Sequence, residues 1–233
     1  MTLQRHHLQL LMDGLFKLGI MTKGKGLTLH DADATFVSEK VALFSLFIDE
    51  LLLWNSRTNL IGSTGIRDII IRHIFDSLSV YHLLKNKNAS ILDVGAGAGF
   101  PSVPLAIVDG QLRITAVEKR EKRAAFLMNI AVLLKLSNLI VAQGDVRNVM
   151  GKYDIVLARG VGELGLLYDM TRRILKETSM IIAFKGKITE IEKEVSRLKE
   201  KNSSGRGPHL SIQRVKVPYL DEEERNIVII ETK

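Results

Sequence analysis

The chain has 233 residues, of which 46% are hydrophobic and 25% charged, and it contains no cysteine. This length suits one large α/β domain with an appendage, and the lack of cysteine excludes disulfides, zinc–thiolate sites and a cysteine nucleophile. Lysine and arginine outnumber the acids 33 to 26, for a net charge of +7, which favours a polyanionic partner such as nucleic acid.

No apolar run approaches the ~20 residues of a membrane-spanning helix. The N-terminus also lacks the charged-then-apolar layout of a signal peptide. We therefore expect a cytoplasmic protein that has no membrane partner.

The first part of the chain predicts helices only. Apolar residues recur at helical spacing from Leu3 to Leu18, from Phe36 to Trp54 and from Arg67 to Leu84. No strand–turn–strand pattern interrupts them. We expect residues 1–85 to form an N-terminal helical segment packed on the rest of the chain.

From Ser90 onward, short apolar strands alternate with helices. Strands are predicted at 90–94, 112–117, 138–143, 153–158 and 178–184, and helices at 102–108, 121–135, 163–176 and 187–200. Such alternation implies right-handed crossovers and a mostly parallel sheet. After a loop at 202–208, strands at 210–217 and 226–231 predict a closing antiparallel pair. Residues 86–233 are therefore expected to form an α/β domain with a seven-stranded sheet.

Three alternate glycines follow the first of these strands. Gly95, Gly97 and Gly99 form a turn whose backbone can approach a cofactor closely, because no side chain stands in the way. Asp93 precedes the turn, and an acid in an apolar strand end is costly unless it is used. Glu118 ends the next predicted strand, where a carboxylate can accept hydrogen bonds from the ribose hydroxyls of an adenosine.

An adenosine occurs in both S-adenosylmethionine and the dinucleotides, so Glu118 does not separate these cofactors. The ammonium and sulfonium groups of S-adenosylmethionine favour a nearby carboxylate, whereas Asp93 would repel a pyrophosphate. The G-x-G-x-G spacing also departs from the dinucleotide pattern G-x-G-x-x-G. The turn therefore favours S-adenosylmethionine, with a dinucleotide and a ligand-free structural turn as alternatives. We expect no metal site.

Cations gather where the predicted strands end. In a parallel sheet these ends share one edge with the glycine turn, which favours RNA over a small metabolite as the substrate. Arg159 directly follows the fourth predicted strand, where it can bind guanine O6 or a phosphate, unless it only pairs with a surface acid. The other cations are Lys119, Arg120, Lys122, Arg123, Lys185 and Lys187.

The chain resembles the 16S ribosomal RNA guanine-N7 methyltransferase G family (RsmG, also called glucose-inhibited division protein B). The resemblance covers nearly the whole chain from about Leu43, and the combination of Arg-His-x-x-Asp-Ser with Gly-Phe-Pro is specific. The motifs that carry it are Trp54-Asn55 with Asn59-Leu60, Arg72 to Ser77, Asp93 to Pro104, Lys122-Arg123 with Phe126-Leu127, Arg159, Lys185-Gly186, and Val217-Pro218 with Arg225.

This resemblance implies a Rossmann-like class I methyltransferase that acts as a monomer on 16S ribosomal RNA or the small ribosomal subunit. It places Arg159 at the transfer site in a positioning role, and it assigns RNA binding to Arg72, His73, Arg123 and Lys185. Asp145 stands where the family commonly has a basic residue, and Arg147 where it has an acid. Together with the turn, the expected cofactor-binding residues are Asp93, Gly95, Gly97, Gly99, Phe100, Glu118, Asp145, Val146, Arg147 and Arg159.

The implied chemistry suits the residues. N7 of guanine carries a lone pair and no proton, so its methylation requires alignment but no general base. For His73 and Asp76 we therefore favour a structural or RNA-orienting role over a catalytic pair. Three rival functions remain: a class I methyltransferase of a small molecule, a non-catalytic ribosome-binding protein with a methyltransferase fold, and a dinucleotide-dependent oxidoreductase.

Overall fold

The structure is a computed structural model that describes residues 3–21, 39–62, 64–85, 87–202 and 207–232. Its N-terminal part is helical. The elements are α1 (Arg5–Lys17), α2 (Glu39–Thr58), α3 (Ile66–Asp68), a π-helical stretch (Ile69–Phe75), α4 (Asp76–Leu78) and α5 (Tyr81–Leu84).

Two of the predicted N-terminal helices differ from the structure. The helix predicted from Phe36 runs on to Thr58, and its first three residues lie outside the described ranges. The helix predicted at 67–84 is interrupted: its central turns are wider than those of an α-helix, and it ends before α5 begins. Most of the loop predicted at 202–208 also lies outside the described residues.

The rest of the chain forms a seven-stranded sheet in the order β3-β2-β1-β4-β5-β7-β6. The first five strands are parallel, and β7 runs antiparallel between β5 and β6, which confirms the predicted mostly parallel sheet with an antiparallel end. The strands are β1 (Ser90–Val94), β2 (Arg113–Glu118), β3 (Leu139–Gln143), β4 (Tyr153–Arg159), β5 (Leu175–Lys185), β6 (His209–Arg214) and β7 (Asn226–Thr232).

Four helices connect the parallel strands and lead out of β5. They are α6 (Ser102–Val108), α7 (Glu121–Leu133), α8 (Leu164–Thr171) and α9 (Ile188–Lys201). Three predicted boundaries were wrong, one of them the end of the strand predicted at 210–217, which lies at Arg214. The helix predicted to end at residue 176 ends at Thr171, and β5 begins at Leu175, where the Lys176 ammonium binds the Asp154 carboxylate of β4 at 2.8 Å.

Two hydrophobic clusters cover the two faces of the sheet. The N-terminal helices share one cluster with α6, α7 and the sheet residues Ile227 and Ile229, so they pack directly on that face. Phe47 of α2 contacts Phe100 in the glycine turn, with ring centroids 5.4 Å apart. The N-terminal helices therefore pack against the glycine turn through Phe100.

In the described part of the chain, no helix has both the length and the apolar character needed to cross a membrane.

Candidate active site

The glycine turn joins β1 to α6. Gly95, Gly97 and Gly99 have φ angles of +68°, +58° and +90°, in the left-handed region that residues with a side chain rarely adopt. The Gly95 and Ala96 N–H groups both donate to the Val117 carbonyl of β2, at 2.9 and 3.0 Å. These bonds fix the turn against the neighbouring strand.

The glycines differ in what surrounds them. A Cβ at Gly99 would lie 2.5 Å from the Val103 side chain, so this position must be glycine for α6 to pack. A Cβ at Gly97 would meet nothing closer than the Arg123 guanidinium, 3.6 Å away. Gly97 therefore leaves a backbone surface that a ligand can approach.

Glu118 ends β2 beneath this turn and is only 5% exposed. Its two carboxylate oxygens accept hydrogen bonds from the Gly97 N–H at 2.9 Å and the Arg120 N–H at 2.7 Å. A carboxylate has about four acceptor positions, so Glu118 keeps capacity for two ribose hydroxyls.

Asp93 is fully buried at the end of β1. One carboxylate oxygen accepts the Ser102 N–H at 3.2 Å, whereas the other has no hydrogen-bond partner among the described residues. Burial raises the pKa of Asp93 to about 6, against the opposing effects of Ser102 and Arg159. An unpartnered buried carboxylate oxygen favours a nearby cation, so these residues fit S-adenosylmethionine.

The expected adenine side contains an internal ion pair. The Arg147 guanidinium binds the Asp145 carboxylate through Nε at 2.9 Å and Nη2 at 2.8 Å, and Lys119 lies 3.7 Å from the same carboxylate. Hydrogen bonds from Arg147 hold the pKa of Asp145 far below its usual range. The acid and the base that depart from the family pattern thus pair with each other, beside the buried Val146.

Arg159 ends β4 at the same edge of the sheet and contacts the N-terminal helices. Its Nε lies 3.0 Å from an Asp76 carboxylate oxygen, and its Nη2 donates to the Arg72 carbonyl at 2.7 Å. Burial lowers the pKa of Arg159, and the Asp76 charge opposes this shift. The remaining nitrogen, Nη1, has no partner among the described residues, so it can donate to a substrate.

His73 lies between Arg159 and the glycine turn. Its ring stacks on Phe100 with centroids 5.0 Å apart, and its Nδ1 lies 3.1 Å from Arg159 Nη2. Burial, and secondly the Arg159 charge, lower the pKa of His73 to about 4. The imidazole is therefore neutral near pH 7 and accepts the Arg159 N–H, which supports a structural or orienting role.

Asp76 joins Arg159 to a second arginine. Its other carboxylate oxygen lies 3.5 Å from Arg225 Nε, and Arg225 also binds Glu223 at 2.8 Å. Burial raises the pKa of Asp76, whereas the two arginines oppose that shift. Glu223 in turn pairs with Arg72. No local sequence pattern indicates this chain of ion pairs, because its members come from three separate stretches of the chain, 72–76, Arg159 and 223–225.

The expected RNA-binding cations differ in their partners. Arg72 pairs with Asp68 at 3.1 Å as well as with Glu223, and Lys185 binds Glu194 at 2.7 Å and the Gly162 carbonyl at 2.9 Å. Arg123, in contrast, forms no ion pair within the described ranges and lies over Gly97. RNA binding by these residues stays a prediction.

Comparison with known families and proteins gives a consistent result. The family model described as rRNA small subunit methyltransferase G matches residues 40–228. A protein named ribosomal RNA small subunit methyltransferase G from Bacillus cereus (strain B4264) is 33% identical over 212 residues, covering 88% of this chain and 87% of that protein. The protein of the same name from Oceanobacillus iheyensis is 33% identical over 220 residues, covering 91% and 87%.

Solved structures confirm the predicted Rossmann-like methyltransferase fold. An O-methyltransferase from Bacillus cereus in complex with SAH has a TM-score of 0.55 at 14% identity, covering 81% of this chain and 91% of that one. A SAM-dependent O-methyltransferase from Thermotoga maritima has a TM-score of 0.54 at 15% identity, covering 80% and 71%. At these identities the similarity establishes the fold alone.

Proposed function

The chain belongs to the rRNA small subunit methyltransferase G family, and from this premise we propose that it transfers a methyl group from S-adenosylmethionine to N7 of a guanine in 16S ribosomal RNA. One observation carries the proposal. The glycine turn, which fits the cofactor, meets Arg159 of β4 at Phe100. The centroid of the Phe100 ring lies 5.7 Å from the guanidinium carbon of Arg159.

The cofactor is held by the backbone of the turn and by two carboxylates. Glu118 accepts the ribose hydroxyls with its remaining acceptor positions, and the unpartnered oxygen of Asp93 favours the positive end of the cofactor. Val146 and the Asp145–Arg147 pair lie beside the adenine.

The reaction needs alignment and no proton transfer. S-adenosylmethionine supplies a methyl group on a sulfonium: the N7 lone pair forms the new bond while the methyl–sulfur bond breaks and its electrons stay on sulfur. Arg159 positions the guanine by donating from Nη1 to O6, the acceptor next to N7. The neutral His73 holds Arg159 in place. Of the expected RNA-binding cations, Arg123 contacts the RNA backbone directly, whereas Arg72 and Lys185 must first leave Glu223 and Glu194.

The substrate class supports two further parts of the proposal. Ribosomal RNA is made and assembled in the cytoplasm of a bacterium, so we place the protein there. We also propose that it acts as a monomer on the RNA or the assembling small subunit.

Mapping N7-methylguanosine in small-subunit rRNA from cells with and without this protein tests the function. We expect one guanine to lose its methyl group when the protein is absent, and purified protein with S-adenosylmethionine to restore it. Methyl incorporation into a small molecule in place of RNA would support the rival enzyme. Failure to bind S-adenosylmethionine in calorimetry would support a non-catalytic ribosome-binding protein.

A further inference from the structure

A basic groove lies where the N-terminal helices meet the outer strand of the sheet. It has a volume of about 250 Å³, and its walls come from the end of α1, from α4 and α5, and from the end of β6. Its cationic side chains and imidazole are those of Lys17, His82, Arg214 and Lys216. No acid is among the described residues that line it. We propose that this groove binds a phosphate of the substrate RNA backbone, an inference that rests on the proposed function.

The groove's charges are available for a ligand, unlike those of the three arginines linked to Asp76 and Glu223. Arg72, Arg159 and Arg225 are each paired with an acid. Lys17, Arg214 and Lys216 form no ion pair with any residue that the structure describes, and all three are exposed. An unpaired exposed cation can neutralise a phosphate and release its counterion, whereas a paired one must first lose its acid.

Part of the groove is already ordered. The Lys17 ammonium lies over the Tyr219 ring, 3.8 Å from its centroid, and Tyr219 also contacts Phe75, with ring centroids 6.3 Å apart. The His82 imidazole is fixed through Nδ1 to the Ser79 carbonyl at 3.0 Å. A phosphate that binds here therefore meets groups whose side-chain freedom is already reduced.

The position of the groove matches a substrate that reaches the transfer site. Arg159 pairs in register with Phe184, Phe184 with Ile227, and Ile227 with Gln213, which precedes Arg214. Three strand spacings separate Arg159 from Gln213, about 14 Å. One RNA strand or hairpin can thus contact the groove while its target guanine lies beside Arg159.

The double variant Arg214→Gln/Lys216→Gln tests the groove. Binding of an unmodified small-subunit rRNA transcript is measured by filter binding from 50 to 200 mM salt. We expect the dissociation constant to rise about tenfold near physiological salt and the magnitude of the slope of log K against log salt to fall by roughly 0.7 to 0.9, because one phosphate contact is lost. S-adenosylmethionine affinity and kcat should not change, whereas KM for the transcript should rise.

A matched control carries the same charge change on the other face of the sheet. Arg172→Gln/Lys199→Gln lies on the turn after α8 and on α9, which pack against the opposite hydrophobic cluster, and both side chains are exposed without an ion pair among the described residues. We expect its salt slope to stay within 0.5 of the wild-type value. Lys17→Gln is a second groove variant and should also weaken RNA binding. Arg214→Lys should keep most of the wild-type RNA affinity, because it keeps the positive charge.

Equal effects of the groove and control variants on RNA binding would overturn the proposal. So would loss of inorganic phosphate binding, measured by ³¹P titration, with RNA binding unchanged, because the groove would then hold a free anion. Failure of the wild-type protein to methylate the transcript would contradict the proposed function instead, and RNA binding alone would still decide the groove.

Discussion

The cofactor side and the transfer side of the active edge are built in different ways. On the cofactor side, Glu118 reaches back 21 residues to the Gly97 N–H and Asp93 reaches forward nine to the Ser102 N–H, so backbone groups close to each other in sequence make the site. On the transfer side, Arg159 contacts the Arg72 carbonyl across 87 residues and binds the Asp76 carboxylate. The first region is local backbone structure. The second depends on the N-terminal helices docking on the sheet.

The largest expected effect comes from removing the charge that holds the transfer side together. Asp76→Asn leaves Arg159 and Arg225 without their shared carboxylate, and the Asp76 side chain is only 7% exposed. Breaking a buried pair in this way costs about 3–5 kcal/mol of the free energy of unfolding. Urea denaturation at pH 7 measures it.

Asp68→Asn is the matched control, because it removes the same charge from an exposed ion pair with Arg72. Its cost should stay below about 1 kcal/mol. If the two variants were equally stable, the ion pairs of the transfer side would not be what holds the N-terminal helices on the sheet.

The second prediction uses pH to separate the two sides. Asp93 has a raised pKa of about 6 in the folded protein. Its contribution to the free energy of unfolding is therefore greatest below about pH 4 and is lost as the pH rises to 6. His73 has a lowered pKa of about 4, so its contribution is complete above pH 6.5 and is lost as the pH falls towards 4. Each shift is worth up to about 3 kcal/mol, and the two oppose each other.

Single variants should therefore reveal opposite slopes. Asp93→Asn should make the free energy of unfolding rise more steeply between pH 4.5 and 6.5, because the falling contribution of Asp93 is removed while the rising contribution of His73 remains. It should also weaken binding of S-adenosylmethionine. His73→Asn should make stability fall over the same range. Urea unfolding at four pH values measures both, and identical profiles for the two variants would contradict the assignment.

The third prediction separates backbone strain from cofactor binding. Gly97→Val should lower S-adenosylmethionine affinity at least a hundredfold, about 2.7 kcal/mol, because a side chain would fill the surface that the turn exposes. Calorimetry measures this. Gly19→Val is the control: its φ of +67° imposes similar strain far from the site, about 1–2 kcal/mol of stability, with unchanged affinity. Unchanged affinity in Gly97→Val would remove the turn from the binding site.

The contrast between the two sides also explains what the sequence could predict. A glycine turn between a strand and a helix, with acids at fixed spacing, follows from local geometry, so Gly95 to Gly99, Asp93 and Glu118 lie at one site as expected. The pairing of Asp76 with Arg159 and Arg225 depends on which helix face docks on the sheet, and no local pattern encodes that.

Two other features of the structure arise locally, and residue composition alone does not indicate them. The π-helical stretch Ile69–Phe75 has the apolar content of an ordinary helix, so its wider turns leave no sequence signal. The swap of charges at Asp145 and Arg147 was visible as a departure from the family pattern. Their spacing of two residues was compatible with a direct pair, which the 3₁₀ turn at Val146–Asn148 brings together.

The smallest effect concerns the one guanidinium nitrogen of Arg159 that has no partner among the described residues. Arg159→Lys keeps a positive charge near Asp76, so the fold should survive, but a lysine presents no second donor in a fixed plane. We expect kcat for methyl transfer to fall about tenfold, equal to ~1.4 kcal/mol, with S-adenosylmethionine affinity within twofold of wild type. Arg113 begins β2, at the end of the strand away from Glu118 and the glycine turn. Arg113→Lys should therefore leave both kcat and the S-adenosylmethionine affinity unchanged. Full activity of Arg159→Lys would make Arg159 a purely structural arginine, and the transfer side would then serve only to dock the N-terminal helices.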